Sequence, residues 1–349
     1  MNLAEHPHRR YNPLLDEWIL VSPHRTRRPW QGKTDETLLQ PGIPHNPDCY
    51  LCPGNKRAEG VVNPRYTGTF VFKNDFSALY LEAPGEQLNE NGLIVAKNEK
   101  GECRVLCYSP RHDLTMPRMS VEALNGVVDT WVEQYVELGS LKEINHVQVF
   151  ENKGAQMGCS NPHPHGQIWA DEQVPVIPLR EGTSQERYFK AKKQHCLLCD
   201  YLELEVKKKE RIVYENDSFI ALVPFWAVWP FETMLLPKSH LTSIKEMSGK
   251  LRRDLAGALK RITTRYDNLF LTSFPYSMGI HQKPTDGGKH PEWHFHFHFF
   301  PPLLRSAAVQ KFMVGYELLS MPQRDITPEL AAKKLSELSD SHYLETAGR

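Results

Sequence analysis

One ordered series of motifs occurs twice in this chain. The first pass runs Cys49-Tyr50-Leu51-Cys52, then Val71-Phe72-Lys73-Asn74-Asp75-Phe76-Ser77-Ala78-Leu79, then a strand ending at Ser109-Pro110-Arg111-His112, then a helix, and closes on His163-Pro164-His165-Gly166-Gln167. The second runs Cys196-Leu197-Leu198-Cys199, then Val213-Tyr214-Glu215-Asn216-Asp217-Ser218-Phe219-Ile220-Ala221-Leu222, then a strand ending at Leu236-Pro237-Lys238-Ser239-His240, then a helix, and closes on His294-Phe295-His296-Phe297-His298. Order and spacing recur together, which a duplication explains more simply than chance. The expected organisation is therefore two repeats, 1–170 and 171–349, with the junction falling somewhere in 171–195.

Each repeat carries one long amphipathic helix. Val121, Leu124, Val128, Trp131, Tyr135 and Leu138 form the apolar stripe of the first, and Leu251, Leu255, Leu259, Ile262, Tyr266 and Leu269 that of the second. Such stripes are core faces, not ligand sites. Short strands are expected around them at 18–22, 69–72, 104–108, 146–151, 211–213, 218–223, 233–236 and 293–300. This pattern predicts an α+β fold, mainly antiparallel, with helices packed on the sheet. A last helix begins with Thr327 as N-cap and Pro328 and Glu329 in its first turn. No Gly-x-Gly-x-x-Gly follows a strand, which excludes a dinucleotide-binding Rossmann unit.

The stretch Gly158-Cys159-Ser160-Asn161-Pro162-His163-Pro164-His165-Gly166-Gln167 places two imidazoles two residues apart. A lone His-Pro-His reads first as a stiffened turn. Here Gly158 and Ser160 let the backbone approach a bulky anion, and residues i and i+2 of an extended segment share a face. That layout suits His165 as a nucleophile toward phosphorus. Cys159 is read as a small loop residue rather than a competing nucleophile.

Four of the seven cysteines form Cys-x-x-Cys pairs. Cys49 and Cys52, with His112 and His163 as distant partners, would make a closed tetrahedral zinc site with a structural role. A redox pair at a helix start is the competing reading, and Pro44, Pro47, Pro53 and Gly54 disfavour a helix there. His294, His296 and His298 alternate with Phe, so all three imidazoles are expected on one strand face as metal or phosphate ligands. His281 and Glu181 could complete such a site from other segments.

Lys+Arg and Asp+Glu both number 42, so no net field favours nucleic acid or an acidic membrane. The run Lys207-Lys208-Lys209-Glu210-Arg211 is expected to be a solvated turn. Residues 1–10 lack the apolar core of an export signal, and no run of about 18 apolar residues occurs. With cysteines that read as ligands, this predicts a cytoplasmic protein.

The residues at 158–167 resemble the active-site signature of the galactose-1-phosphate uridylyltransferase family, a branch of the histidine-triad superfamily. The resemblance runs nearly end to end. It includes Arg9-Arg10-Tyr11-Asn12-Pro13-Leu14, Ser22-Pro23-His24-Arg25, Tyr66-Thr67-Gly68-Thr69, Val149-Phe150-Glu151-Asn152-Lys153-Gly154, Pro301-Pro302-Leu303-Leu304-Arg305-Ser306 and Lys311-Phe312-Met313-Val314-Gly315-Tyr316-Glu317. It implies two fused histidine-triad-like repeats and double-displacement uridylyl transfer from UDP-glucose to galactose 1-phosphate, with His165 as nucleophile and Ser160 and Gln167 as donors to the phosphoryl oxygens. It further implies zinc at Cys49, Cys52, His112 and His163, and iron or zinc at Glu181, His281, His296 and His298. Nucleotide-sugar contacts are implied for Arg25, Arg28, Asn74, Asp75, Asn152, Gly158, Cys159, Ser160, Gln167, Lys311, Phe312, Val314, Tyr316, Glu317 and Gln323. Some of these reach across subunits in the family, so a homodimer is implied.

The sequence departs from that family pattern in one place. The pattern lacks a second Cys-x-x-Cys and carries Gln at the position of His294. Cys196, Cys199, His240 and His294 occupy the repeat slots of Cys49, Cys52, His112 and His163, which predicts a further zinc site. Two other functions remain open at this level: another nucleotidyltransferase or nucleotide-sugar phosphorylase of the superfamily, and a non-catalytic UDP-sugar-binding module.

Overall fold

A computed structural model describes residues 2–27, 42–82 and 84–346; Arg28 lies outside the described residues. Nine strands form one sheet: β1 (Phe70–Lys73), β2 (Gly101–Cys107), β3 (His146–Lys153), β4 (His165–Asp171), β5 (Ile212–Glu215), β6 (Phe219–Leu222), β7 (Thr233–Pro237), β8 (Tyr276–His281) and β9 (His296–Phe300). Their order is β1-β2-β4-β3-β8-β9-β7-β6-β5, with every neighbouring pair antiparallel. The order is nearly a palindrome about the β3–β8 pair, which joins the two halves by the register Tyr276↔Lys153 to Gly279↔Phe150. Duplicated elements thus lie at mirrored places in one continuous sheet. The fold is α+β, as the patterning predicts, and the duplicated elements meet edge to edge at the β3–β8 pair.

Helices α1 (Val121–Leu138) and α4 (Gly249–Leu269) cover one face. Ser120 and Ser248 cap them by accepting from the Ala123 and Leu251 amides, which satisfies donors that a helix start leaves unpaired. Leu124, Val128, Trp131, Leu255, Leu259, Ile262 and Tyr266 pack with Val149, Ile168, Met278, Ile280, Phe297 and Phe299 in the main core. Each fully buried apolar side chain of this kind contributes about 1.5–3 kcal/mol before entropy is counted.

The opposite face is covered unevenly. In the second half, α3 (Leu197–Lys208) and the strands His8–Asn12 and Glu17–Val21 bury Leu198, Leu202, Ile220, Leu222, Met234 and Leu236. Gln323–Arg324 pairs parallel to the second of those strands and ties the C-terminal region to the N-terminal one. In the first half, the same face is met by a loop that buries Cys49, Leu51 and Cys52 against Val105 and Cys107.

Three local expectations are corrected. Helix α2 (Val176–Ala191) fills the stretch read as a junction. Its buried positions, Pro178, Glu181, Ser184 and Gln185, are mostly polar, so no apolar stripe marks it. Strand β9 begins at His296, so His294 precedes it rather than sharing its face. In the basic run, Lys207 and Lys208 end α3, and Arg211 is buried, with its guanidinium on Glu205, Glu210 and Glu329.

Candidate active site and metal centres

Period-2 alternation decides which side chains of β4 meet the open face. Gly166, Ile168 and Ala170 are buried toward α1 and α4, while His165, Gln167 and Trp169 point the other way. There a cavity of about 560 Å³ is lined by Leu51, Arg57, Phe72, Asn74, Asp75, Phe76, Val105, Ser160, His165 and Gln167 among others. A small annex is bounded by Asn152, Gly158, Cys159, Ser160, His165, Gly166 and Gln167. Gly158 adopts φ 78°, a left-handed conformation that lets the loop turn back over the strand end.

The polar groups around this cavity are oriented by their neighbours. His165 Nδ1 donates to the His163 carbonyl at 2.7 Å, so Nε2 carries the free lone pair. Burial lowers the His165 pKa, and the His163 carbonyl offsets this only in part. The ring is accordingly neutral at neutral pH, with Nε2 unprotonated. Trp169 Nε1 donates to Gln167 Oε1 at 3.0 Å, which leaves the Gln167 amide hydrogens to donate elsewhere. Ser277 donates to Asn152 Oδ1 at 2.7 Å with the same effect. Cys159 Sγ donates to the Asn161 carbonyl at 3.1 Å and is not held against an imidazole, which agrees with a loop role.

Arg57 was not foreseen. It lines the cavity, pairs with Asp75 at 2.9 Å, and lies 3.9 Å from the centre of the Phe72 ring. With Lys56 it brings positive charge to the cavity wall, and nothing in its sequence surroundings marks it.

Three Cys/His/Glu groups bring their donor atoms within 4.8 Å of one another: Cys49 with Cys52, His112 and His163; Glu181 with His281, His296 and His298; and Cys196 with Cys199, His240 and His294. In the first, Cys52 Sγ lies 3.6 Å from His112 Nδ1 and 3.5 Å from His163 Nδ1. His163 Nε2 donates to the Ser109 carbonyl at 2.9 Å, turning Nδ1 toward the thiols. Two thiolates and two imidazoles so arranged suit a closed tetrahedral zinc.

In the second group, Glu181 is carried by α2 onto the sheet face of β8 and β9. Its carboxylate lies 2.8 Å from His281 Nδ1 and 3.4 Å from Nε2 of both His296 and His298. His296 and His298 Nε2 approach to 3.1 Å. His296 Nδ1 donates to the His294 carbonyl at 2.7 Å, so its Nε2 is a bare acceptor aimed at the others. Burial by itself would raise the Glu181 carboxyl, but the His281 charge and three imidazole contacts outweigh it and hold it well below the carboxylate range. A buried carboxylate with converging nitrogens fits a divalent cation.

The remaining implied substrate contacts gather elsewhere. Lys311 bonds Glu317 and, at 3.1 Å, Gln323, while Arg25 lies 3.4 Å from Asp325. Phe312, Val314 and Tyr316 are exposed beside them. None of these residues is among those lining the cavity at His165.

Two family models match consecutive parts of the chain. The family model described as galactose-1-phosphate uridyl transferase, N-terminal domain, matches residues 1–175, and that of the C-terminal domain matches 181–347. The galactose-1-phosphate uridylyltransferase of Haemophilus influenzae is 52% identical over 98% of this chain and 97% of its own length. That of Rattus norvegicus is 50% identical over 98% of this chain and 90% of its own. Among solved structures, a uridylyltransferase superposes with TM-score 0.74 at 27% identity, covering 94% of this chain and 97% of its own. An ADP-glucose phosphorylase from Arabidopsis thaliana with bound ADP-glucose shares the fold, with TM-score 0.76 at 23% identity over 96% and 99% of the two chains.

Proposed function

From the premise that the chain belongs to the galactose-1-phosphate uridylyltransferase family, we propose that it transfers a uridylyl group from UDP-glucose to galactose 1-phosphate, an enzyme of galactose metabolism. The observation that carries the mechanism is the tautomer lock on His165. With Nδ1–H held by the His163 carbonyl, Nε2 attacks the α-phosphorus. The Nε2–P bond forms as the bond from phosphorus to the bridging oxygen breaks, and glucose 1-phosphate leaves. A phosphate oxygen of galactose 1-phosphate then attacks the same phosphorus, the Nε2–P bond breaks, and UDP-galactose is released.

The imidazolium formed in the first step keeps its Nδ1–H on a carbonyl, which stabilises the developing positive charge. No base is needed, because the nucleophile is neutral and loses no proton. A phosphate monoester leaves without protonation, which suits Gln167: an amide donates hydrogen bonds but cannot act as an acid. Gln167, Ser160 and Arg57 are the donors to the phosphoryl oxygens, and Asn74, Asp75, Phe76 and Asn152 bound the nucleotide-sugar. The covalent intermediate divides one difficult displacement into two easier ones.

Cys49, Cys52, His112 and His163 would hold zinc, and Glu181, His281, His296 and His298 would hold iron or zinc. A cation with four protein ligands supplies a cross-link rather than a reactive position. The Lys311–Glu317 segment, Gln323 and Arg25 are proposed to complete the site of a partner subunit in a homodimer.

The test is incubation with UDP-glucose labelled in the uridine, without acceptor. One uridylyl group per chain, absent in His165→Ala and discharged by galactose 1-phosphate as UDP-galactose, is expected. An unlabelled protein that binds UDP-glucose would refute the covalent route.

A further inference from the structure

The third donor cluster stands apart from the cavity and from the reaction just described. We propose that Cys196, Cys199, His240 and His294 bind a structural zinc ion in the second repeat, and that His294 thereby orients His296. The inference does not depend on the uridylyl-transfer reading.

The geometry is that of a tetrahedron. Tetrahedral zinc with Zn–S of about 2.3 Å and Zn–N of about 2.05 Å sets sulfur and nitrogen about 3.6 Å apart. Cys196 Sγ lies 3.6 Å from His294 Nδ1, Cys199 Sγ lies 3.3 Å from the same atom, and Cys199 Sγ lies 3.4 Å from His240 Nδ1. One lone pair cannot accept from two thiols along good lines, whereas a cation between all four atoms explains both contacts. His294 Nε2 donates to the Pro237 carbonyl at 3.1 Å, which leaves Nδ1 unprotonated and facing the sulfurs. Metal-bound imidazoles in proteins are oriented through the other ring nitrogen in this way.

The cluster reproduces the first site in detail. The two imidazoles are edge-on in both, with ring centres 5.5 Å apart. In both, Nε2 of the His nearest the sheet donates to a carbonyl at or just past a strand end, Ser109 beyond β2 or Pro237 at the last position of β7. In both, that same residue offers its own carbonyl, at 2.7 Å, to Nδ1 of the imidazole two residues on, His165 or His296. A cation at His294 therefore fixes the tautomer and aim of His296, as one at His163 does for His165. The Cys pair opens α3, so the same ion also pins that helix to the sheet.

The competing use of Cys-x-x-Cys at a helix start is thiol–disulfide exchange. Two imidazole nitrogens converging on the sulfurs have no part in that, and both cysteines are free thiols here. The site would add cross-linking free energy that exists only while the metal is bound.

The test uses the intact protein purified without chelator. Native alkylation is followed at each cysteine by peptide mass spectrometry before and after zinc removal. Half-exposed Cys199 is expected to react about tenfold or more slowly while metal is bound. A rate unchanged by zinc removal, or recovery of Cys196 and Cys199 as a disulfide, overturns the proposal. As a second measurement, cobalt is loaded into a Cys49→Ser/Cys52→Ser variant. Thiolate-to-cobalt charge transfer with tetrahedral d–d bands supports the site, and their absence in a folded variant refutes it.

Discussion

Gly166→Ala is a sharp probe of how the sheet aims His165. Gly166 lies between His165 and Gln167 on β4, and a Cβ there would point away from the cavity into the packed layer. It would overlap the Tyr108 hydroxyl and come within 2.9 Å of the Phe150 carbonyl and 3.0 Å of Tyr108 Cζ. Tyr108 has no room to retreat: it is 2% exposed and packs edge-on against Trp131 at 6.1 Å. The strand must shift instead, which costs about 1–3 kcal/mol as overpacking. A displacement of about 1 Å at the reacting atoms lowers turnover by about 10²-fold. The assays are urea unfolding and the rate of uridylyl labelling of His165. Tyr108→Phe removes the overlapping oxygen, and that hydroxyl has no hydrogen-bond partner among the described residues, so the substitution alone is close to neutral. The double variant is expected to regain part of both losses, because the Cζ and Phe150 contacts remain. Gly166→Ala with parental labelling rate and unfolding midpoint would refute the reasoning.

Other substitutions test separate features. Asp267 and Lys153 form a buried ion pair at 2.7 Å, with His342 on the second carboxylate oxygen at 3.1 Å; Asp267→Ala should lose about 3–5 kcal/mol in urea unfolding, and adding Lys153→Met should restore most of it. Glu329 shows the pH dependence. Burial would raise its carboxyl, but Arg10 and then Arg211 hold it down at about 2. Its folded pKa lies below the unfolded value of about 4.3, so its contribution is complete above that pH and lost as pH falls toward 2. Acid unfolding of Glu329→Gln should therefore be shallower than the parent's over that window, and equal slopes would count against the pairing. Glu181→Ala leaves three imidazoles without their carboxylate and should lose bound metal on dialysis, while unchanged metal content would exclude that residue as a ligand.

The duplicated motif series, the two helix stripes and the His-Pro-His segment were legible because each is a local regularity: period 3.6 for α1 and α4, period 2 for β4, and Cys-x-x-Cys spacing for two of the clusters. Glu181 and His281 were candidates only as ligand types from other segments, supported by the family resemblance, because no periodicity singles them out. What stayed hidden was of another kind. Helix α2 turns polar groups inward because its task is to bring Glu181 and Gln185 to the sheet, so hydrophobic patterning is silent there. Arg57 enters the cavity from a loop with no regular spacing. His294, His296 and His298 look like one ladder in sequence, yet the strand starts at His296, and the three imidazoles divide between two clusters. Local chemistry along the chain determined which side chains can bind metal or attack phosphorus. Only the closure of nine strands into one sheet decided which of them meet, because contacts between segments a hundred residues apart depend on register and on which face each strand buries.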